Sequence, residues 1–124
     1  MILCDTNILI EFYKGNSVIL GELHKAGLPN LAVSIVTTGE LFYGARDKVE
    51  LVKIQKHLAL IKQIHLDTDI SSRFLTVLDE YALSHRLSVP DALIAATALS
   101  QDIPLFTLNL RDFRFISALK LYEP

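Results

Sequence analysis

Several features that assign a chain to a specialised class are missing from this sequence. The 124 residues include one cysteine, Cys4, so the chain has no disulfide framework. No apolar run approaches the roughly 20 residues that span a bilayer, and the sequence contains no repeat, linker or low-complexity tract. The start, Met1 to Asp5, is too short and too soon acidic for a signal peptide. We therefore expect one domain, residues 1–124, that works in the reducing cytoplasm and not in a membrane.

The chain also lacks a strong charge of either sign. Its formal net charge is −2, from 12 basic and 14 acidic residues. If Asp5, Glu40, Asp91 and Asp112 share one metal site, 12 basic and 10 acidic residues remain, so the composition permits RNA binding without predicting it. Hydrophobic residues make up 51% of the chain, slightly above the ~45–50% of typical soluble domains. We interpret the excess as an apolar contact surface for a second copy or a partner.

Short apolar segments alternate with amphipathic ones along the whole chain. The pattern predicts strands at 2–4, 31–36, 64–66 and 104–107, with a further edge strand at 119–121. Predicted helices begin after a cap at Thr6 or Asn7, at Ser17, at Thr37 or Thr38, and over 48–61, 69–86 and 90–101. This alternation is typical of an α/β fold with a mostly parallel central sheet flanked by helices.

Four separated acids are expected to meet at one edge of that sheet. Asp5 ends the first predicted strand and Asp112 follows the fourth, while Glu40 and Asp91 lie in the first turns of helices. Ligands of parallel sheets bind beyond the carboxyl ends of the strands. Taken singly, each acid is equally well explained as a solvated charge or a helix-dipole partner. Together they repel one another by ~4 kcal/mol per close pair at an effective dielectric near 20, unless some are protonated or a cation is bound.

An all-oxygen site of this kind favours Mg²⁺ or Mn²⁺ over zinc. The four histidines offer no competing site, because they lie in helix or strand bodies without ligand-like spacing. A hard cation here would polarise a phosphodiester and lower the pKa of a bound water. The sequence leaves open whether one or two ions bind.

Four segments carry a resemblance to a known family. They are DTNILI at 5–10, SIVTTGEL at 34–41, PDALIAATA at 90–98 and LFTLNLRDF at 105–113. Each alone is a weak signal, but in this order and at these distances they resemble the PIN-domain ribonucleases, specifically the VapC toxins of type II toxin–antitoxin systems. The resemblance runs from residue 2 to about residue 115. It implies a three-layer PIN-like fold and a metal-dependent endoribonuclease.

The resemblance also implies roles for individual residues. Asp5 and Asp91 would bind the metal, with Glu40 joining directly or through water. Thr6 and Asn7 would orient Asp5, and Thr107 would contact the scissile phosphate or hold a water. Asp112 would be the fourth catalytic acid, with Asn109 as a neutral ligand or phosphate contact, and the sequence leaves open which of the two completes the pocket. Candidate RNA contacts are Lys14, Arg46, Lys48, Arg111 and Arg114.

The expected partners follow from the same resemblance. The substrate would be single-stranded or loop RNA, such as that of tRNA, because unpaired RNA can be splayed against a protein site. A VapB-type antitoxin would wrap the toxin and block the carboxylate pocket, and a homodimer is also expected. Leu9, Phe12 and the helix at 51–61 are candidates for the antitoxin groove.

Two other functions remain to be weighed. A phosphoryl-accepting receiver domain has a similar length and layout, but it places paired acids after the first strand and a lysine after the last. Here Cys4-Asp5-Thr6 lacks the pair and Thr107-Leu108-Asn109 lacks the lysine. A catalytically degenerate PIN module that binds RNA or protein without cutting is the stronger alternative, although every acidic position of the pocket can be filled.

Overall fold

A parallel four-stranded sheet lies between two layers of helices. The computed structural model describes all 124 residues. The strands are β1 (Ile2–Cys4), β2 (Leu31–Ser34), β3 (Lys62–Ile64) and β4 (Leu105–Phe106). The helices are α1 (Thr6–Tyr13), α2 (Ser17–Ala26), α3 (Ile35–Tyr43), α4 (Lys48–Leu58), α5 (Thr68–His85) and α6 (Val89–Gln101). Short 3-10 turns span Leu28–Asn30 and Leu110–Asp112. None of the helices has both the length and the apolar character needed to cross a membrane.

The strand order places β1 in the interior of the sheet. The order is β3-β2-β1-β4, and every pairing is parallel. Leu3 pairs with Ala32 on one side and with Leu105 on the other. From β1 the chain passes to β2 on one side of it and returns as β4 on the other, so the strand order reverses beside β1. Ligands of open α/β sheets bind at such a switch point.

Successive strand residues supply two separate cores. Side chains alternate between the faces of a strand, and Leu3 accordingly joins one core while Cys4 joins the other. The first core packs against α5 and α6 and contains Ile70 and Ile94. The second packs against α1 to α4 and contains Leu58. This arrangement confirms the predicted three-layer α/β fold, with the sheet wholly rather than mostly parallel.

Two predicted helix starts are wrong, for one shared reason. The cap of α1 is Asp5, not Thr6 or Asn7, and the cap of α3 is Ser34, not Thr37 or Thr38. In both cases the helix begins directly after the strand, so the last strand residue or its neighbour caps it. Strand β2 therefore stops at Ser34 instead of continuing to residue 36.

Other bounds also differ from the predictions. The third strand lies at Lys62–Ile64, two residues earlier than predicted, because Ser34 of β2 pairs with Ile64. Helix α4 ends at Leu58 instead of residue 61, while Ile61 is still buried beyond it. The predicted edge strand at 119–121 is reduced to a single bridge between Leu121 and Leu105. Helices α5 and α6 are correct to within one residue.

Candidate functional site

Asp5 is the most deeply placed acid of the site. It follows β1, and its N–H continues the sheet ladder by donating to the carbonyl of Phe106 at 2.9 Å. Its carboxylate Oδ1 accepts a bond from the N–H of Thr6 at 2.8 Å, which caps α1. Its Oδ2 accepts a bond from the Thr107 hydroxyl at 2.7 Å. The carboxylate is therefore fixed by the central strand and by donors on both of its oxygens.

Thr107 connects the end of β4 to this carboxylate. Its hydroxyl is buried, donates its proton to Asp5, and accepts a bond from the N–H of Asn109 at 3.0 Å. Asn7 approaches the same loop, because its Oδ1 accepts from the N–H of Leu108 at 3.2 Å and its Nδ2 lies 3.5 Å from the Thr107 hydroxyl. These contacts orient Asp5 and the 107–109 loop together. A contact between Thr107 and a scissile phosphate stays a prediction.

Glu40 is brought to the site by a hydroxyl of α1. Its Oε1 accepts a bond from the Thr6 hydroxyl at 2.8 Å, and that hydroxyl lies 3.0 Å from the hydroxyl of Thr37. Glu40 itself is exposed. Thr6 thus contacts two of the predicted ligands, Asp5 through its N–H and Glu40 through its side chain.

Asp91 lies in the first turn of α6 and is half-buried. Ser88 caps this helix by accepting a bond from the N–H of Asp91 at 3.2 Å. Burial and the charges of Asp5, Asp112 and Glu40 together raise the pKa of Asp91 from 3.8 to about 6, with burial the largest cause, against an opposing hydrogen bond from Ser88. The pKa of Asp91 therefore responds to all three other predicted acids.

The pKa of Asp5 shows the same crowding. Burial raises the pKa of Asp5, the hydrogen bonds from Thr107 and Thr6 lower it, and the charges of Glu40 and Asp112 raise it. Asp112 lies in the 3-10 turn after β4 and is exposed. The charge of Asp112 acts on both Asp5 and Asp91, and whether Asp112 or Asn109 completes the pocket stays a prediction.

The protein supplies no positive side chain to neutralise this cluster. Its four ion pairs join Lys14 to Glu11, Arg46 to Glu50, Arg73 to Asp69 and Lys120 to Asp102. None of them includes a site carboxylate. No three acidic, histidine or cysteine side chains form a ready-made metal cage. Mg²⁺, however, typically binds through one or two carboxylates and keeps water or substrate phosphate as its other ligands. The uncompensated, all-oxygen donor set therefore fits such an ion.

The predicted RNA contacts differ in their surroundings. Lys14 pairs with Glu11 at 3.6 Å and Arg46 with Glu50 at 2.8 Å, so both are partly neutralised. Arg111 and Arg114 are exposed beside Asp112 and make no ion pair within the chain. Lys48 opens α4 and is also exposed. Of the five, Arg111 and Arg114 are the nearest in sequence to a site acid and are free of acidic partners.

An apolar groove begins at Glu40 and runs across α1 and α4. Its first part, about 720 Å³, is lined by Phe12 and His57 together with Ile10, Tyr13, Leu41 and Ile54, and by charged side chains that include Lys14, Arg46, Glu50 and Lys53. Its second part, about 870 Å³, adjoins it at Phe12 and His57 and is lined by leucines of α2, the following turn and the start of β2: Leu20, Leu23, Leu28 and Leu31. Of the groove candidates, Phe12 and α4 line it, whereas Leu9 does not, because Leu9 is fully buried in the core.

Three functional side chains escaped sequence reasoning. Ser34 caps α3, Thr37 contacts Thr6 and Ser88 caps α6. Ser88 had a signal, because a serine three residues before an aspartate resembles a capping pattern. Thr37 had none, since its partner lies 31 residues away.

Comparisons with known protein sequences all indicate the same protein family. The PIN-domain family profile matches residues 2–118. Ribonuclease VapC10 of Mycobacterium tuberculosis is 35% identical over 122 residues, covering 97% of this chain and 91% of the relative. Ribonuclease VapC19 of the same organism is 32% identical over 117 residues, covering 91% and 92%.

Solved structures give the same result for the fold. A chain of a toxin–antitoxin complex from Klebsiella pneumoniae superposes with a TM-score of 0.83 at 32% identity, and each chain is covered completely. A chain of VapBC2 from Rickettsia felis, bound to a DNA fragment of its promoter, gives 0.85 at 23% identity, with 98% of each chain covered. At that lower identity the likeness concerns the fold alone.

Proposed function

We infer that this chain, which belongs to the PIN-domain family, is an endoribonuclease toxin of the VapC kind. The observation that carries the proposal is the convergence of Asp5, Glu40, Asp91 and Asp112, whose charges act on one another at the switch point of the sheet. The names of its relatives, VapC10 and VapC19 ribonucleases, support the same activity. We propose that residues 1–124 act as one domain on single-stranded or loop RNA, such as that of tRNA, in the cytoplasm.

The roles of the residues follow from their contacts. Asp5 and Asp91 would hold a Mg²⁺ or Mn²⁺ ion, with Glu40 joining directly or through water and Asp112 completing the negative field. When bound, such an ion supplies positive charge to the scissile phosphodiester and activates the water that attacks it. Thr6 and Thr107 hold the acids in place through the bonds described above. Positioning and charge neutralisation are the main requirements of this chemistry.

The metal requirement is tested by removing the ion. Cleavage of a fluorescent single-stranded RNA should fall to background after chelation and return when Mg²⁺ or Mn²⁺ is added in excess. The reason is that four mutually repelling carboxylates without a basic partner cannot bind a polyanion unaided. Mn²⁺ alone should also raise the melting temperature, because an ion that binds only the folded state stabilises it. Cleavage that persists in chelator would overturn the proposed cofactor.

We further propose that the groove at α1, α2 and α4 binds a VapB-type antitoxin. The solved relative from Klebsiella pneumoniae is part of a toxin–antitoxin complex, as its name states. The first part of the groove combines apolar and charged side chains, including Glu40, and the second part is lined largely by leucines, which suits an amphipathic segment. A partner seated there would cover one acid of the site. A homodimer stays a prediction.

Leu28 provides the test of this groove. It is 42% exposed and lines the second part of the groove. Leu28→Arg should weaken co-purification of a co-expressed VapB-type antitoxin about tenfold or more, because a buried charge at an interface core is strongly unfavourable. Leu83→Arg is the control, since Leu83 is 99% exposed on α5, outside the groove. Equal retention of the antitoxin by both variants would place the interface elsewhere.

The degenerate-module alternative is kept as a second candidate by one observation. No three side chains form a complete metal cage, which a module that binds RNA without cutting would also display. The two functions differ in the metal experiment, because only the nuclease yields new RNA ends when Mn²⁺ is added.

A further inference from the structure

Thr37 is a buried hydroxyl whose only hydrogen-bond partner belongs to the site. It lies on α3, one turn before Glu40, with no exposed surface. Its hydroxyl is 3.0 Å from that of Thr6, which is 2.8 Å from Glu40 Oε1. A hydroxyl has one proton. Since the carboxylate can only accept, Thr6 donates to Glu40, and Thr37 therefore donates to Thr6.

A second buried threonine shows that this arrangement is not the default. Thr97 on α6 is also fully buried, and its hydroxyl donates to the carbonyl of Leu93 in its own helix at 2.8 Å. That local bond is the common way to satisfy a threonine inside a helix. Thr37 is satisfied across helices instead, by a residue that contacts two site acids. The buried Thr37 hydroxyl is therefore satisfied only while Thr6 keeps its rotamer, and the Thr37 hydroxyl in turn holds Thr6 in that rotamer.

Glu40 relies on this chain of hydroxyls more than the other acids do. The Asp5 carboxylate is fixed by two donors, and the backbone of Asp91 is held by the cap of α6. Glu40 is an exposed, long side chain whose one hydrogen bond within the protein comes from Thr6. A free glutamate side chain loses rotamer entropy when it is ordered. Fixing the Thr6 rotamer in advance reduces the entropy that remains to be lost when a ligand binds.

We propose that Thr37 is a positioning residue that orients the Glu40 carboxylate through Thr6 and so sets the affinity of the site for a divalent cation. The inference rests on the proposed function, since it assigns Thr37 to the same metal site. It does not place Thr37 in contact with metal or RNA. Hydrogen-bond partners of metal ligands typically change metal affinity by about 10–100-fold when they are removed.

The test measures binding of Mn²⁺ alone to the intact chain by titration calorimetry. Thr37→Val removes the hydroxyl and keeps the shape, and it should raise the Mn²⁺ dissociation constant about tenfold. Thr37→Ser keeps the donor and should restore affinity to within about twofold of wild type. Thr97→Val is the matched control, because it removes an equally buried hydroxyl that bonds only to its own helix. Thr97→Val should leave Mn²⁺ affinity unchanged while lowering the free energy of unfolding about as much as Thr37→Val does.

A double substitution separates positioning from a general loss of structure. In a Glu40→Gln background, Thr37→Val should have no further effect on Mn²⁺ affinity, because the carboxylate that it orients is gone. Where Thr37→Val does not fold, Thr37→Ala is the replacement and carries the same expectation. In RNA cleavage, the Mn²⁺ concentration for half-maximal rate should rise while the rate at saturating Mn²⁺ stays within about twofold of wild type.

The outcomes distinguish this inference from the proposed function. Wild type that cleaves RNA and binds Mn²⁺, with Thr37→Val binding it equally well, overturns the positioning role alone. The same holds if Thr37→Val weakens binding to the same extent with and without Glu40. Wild type that neither binds Mn²⁺ nor cleaves RNA overturns the proposed function, and the inference with it.

Discussion

Asp5→Asn should reduce RNA cleavage by roughly 10²–10³-fold at saturating Mn²⁺, a loss of the size seen when one group that stabilises the transition state is removed. The substitution removes the negative charge at the end of β1. It also presents an amide N–H₂ where one carboxylate oxygen now accepts from Thr6 or Thr107. The Thr107 hydroxyl accepts from the N–H of Asn109 and from Nδ2 of Asn7, so both of its lone pairs are used and it cannot accept from an amide at position 5 as well. Both the charge and the geometry of the site are therefore lost.

Initial rates on a labelled single-stranded RNA measure this effect. Asp79→Asn is the matched control, because Asp79 is an exposed aspartate of α5 outside the site and should retain the wild-type rate. Identical purification of the variants guards against a contaminating nuclease. Equal cleavage by Asp5→Asn and wild type would show that the activity does not arise from this pocket.

Asp91→Asn should make the metal-free protein more stable at neutral pH, by about 1–3 kcal/mol. Burial and three neighbouring acids raise the pKa of Asp91 from 3.8 to about 6 in the folded chain. Between those values the folded state binds more protons than the unfolded state, so the free energy of unfolding falls as pH rises. Above pH 6 both states are ionised and the full electrostatic penalty is present. Asparagine removes that penalty and most of this pH dependence.

Urea unfolding in chelator, at several pH values from 4 to 8, measures the difference. The free energy of unfolding of wild type should fall with rising pH across the lower half of this range, whereas that of Asp91→Asn should fall less. The raised pKa of the buried Asp5 accounts for the pH dependence that remains in the variant. Adding Mn²⁺ should stabilise wild type more than the variant. A variant that is less stable than wild type at pH 7.5 without metal would contradict the crowding of the acids.

The placement of Asp5 and Thr107 at one edge of the sheet was predictable from the sequence, whereas the contact between them was not. Asp5 and Thr107 follow apolar strand segments, and parallel strands end at the same edge. That reasoning holds without knowing the register. The bond between them joins residues 102 positions apart and depends on the pairing of β1 with β4. Pairing of this kind is a tertiary property that local patterns do not encode.

The helix starts illustrate the same limit. Threonines 37 and 38 resemble caps by residue type, but Ser34 takes that role because the strand passes directly into α3. Thr37 is thereby carried inside the helix, where it reaches Thr6. The edge strand at 119–121 failed for another reason. Its alternation of Leu119, Lys120 and Leu121 suits a strand, yet Leu105 offers it only one bridge because β4 itself is two residues long.

The interior position of β1 distinguishes Asp5 from Asp112 in the free energy needed to open the backbone. Asp5 extends a strand hydrogen-bonded on both sides, so its backbone can open only when the sheet itself comes apart. Asp112 lies in a three-residue turn at the surface, where opening requires far less free energy. Transient opening of the turn therefore displaces Asp112 while Asp5 stays in place. The backbone amide protons of the two acids should exchange with solvent on widely separated timescales.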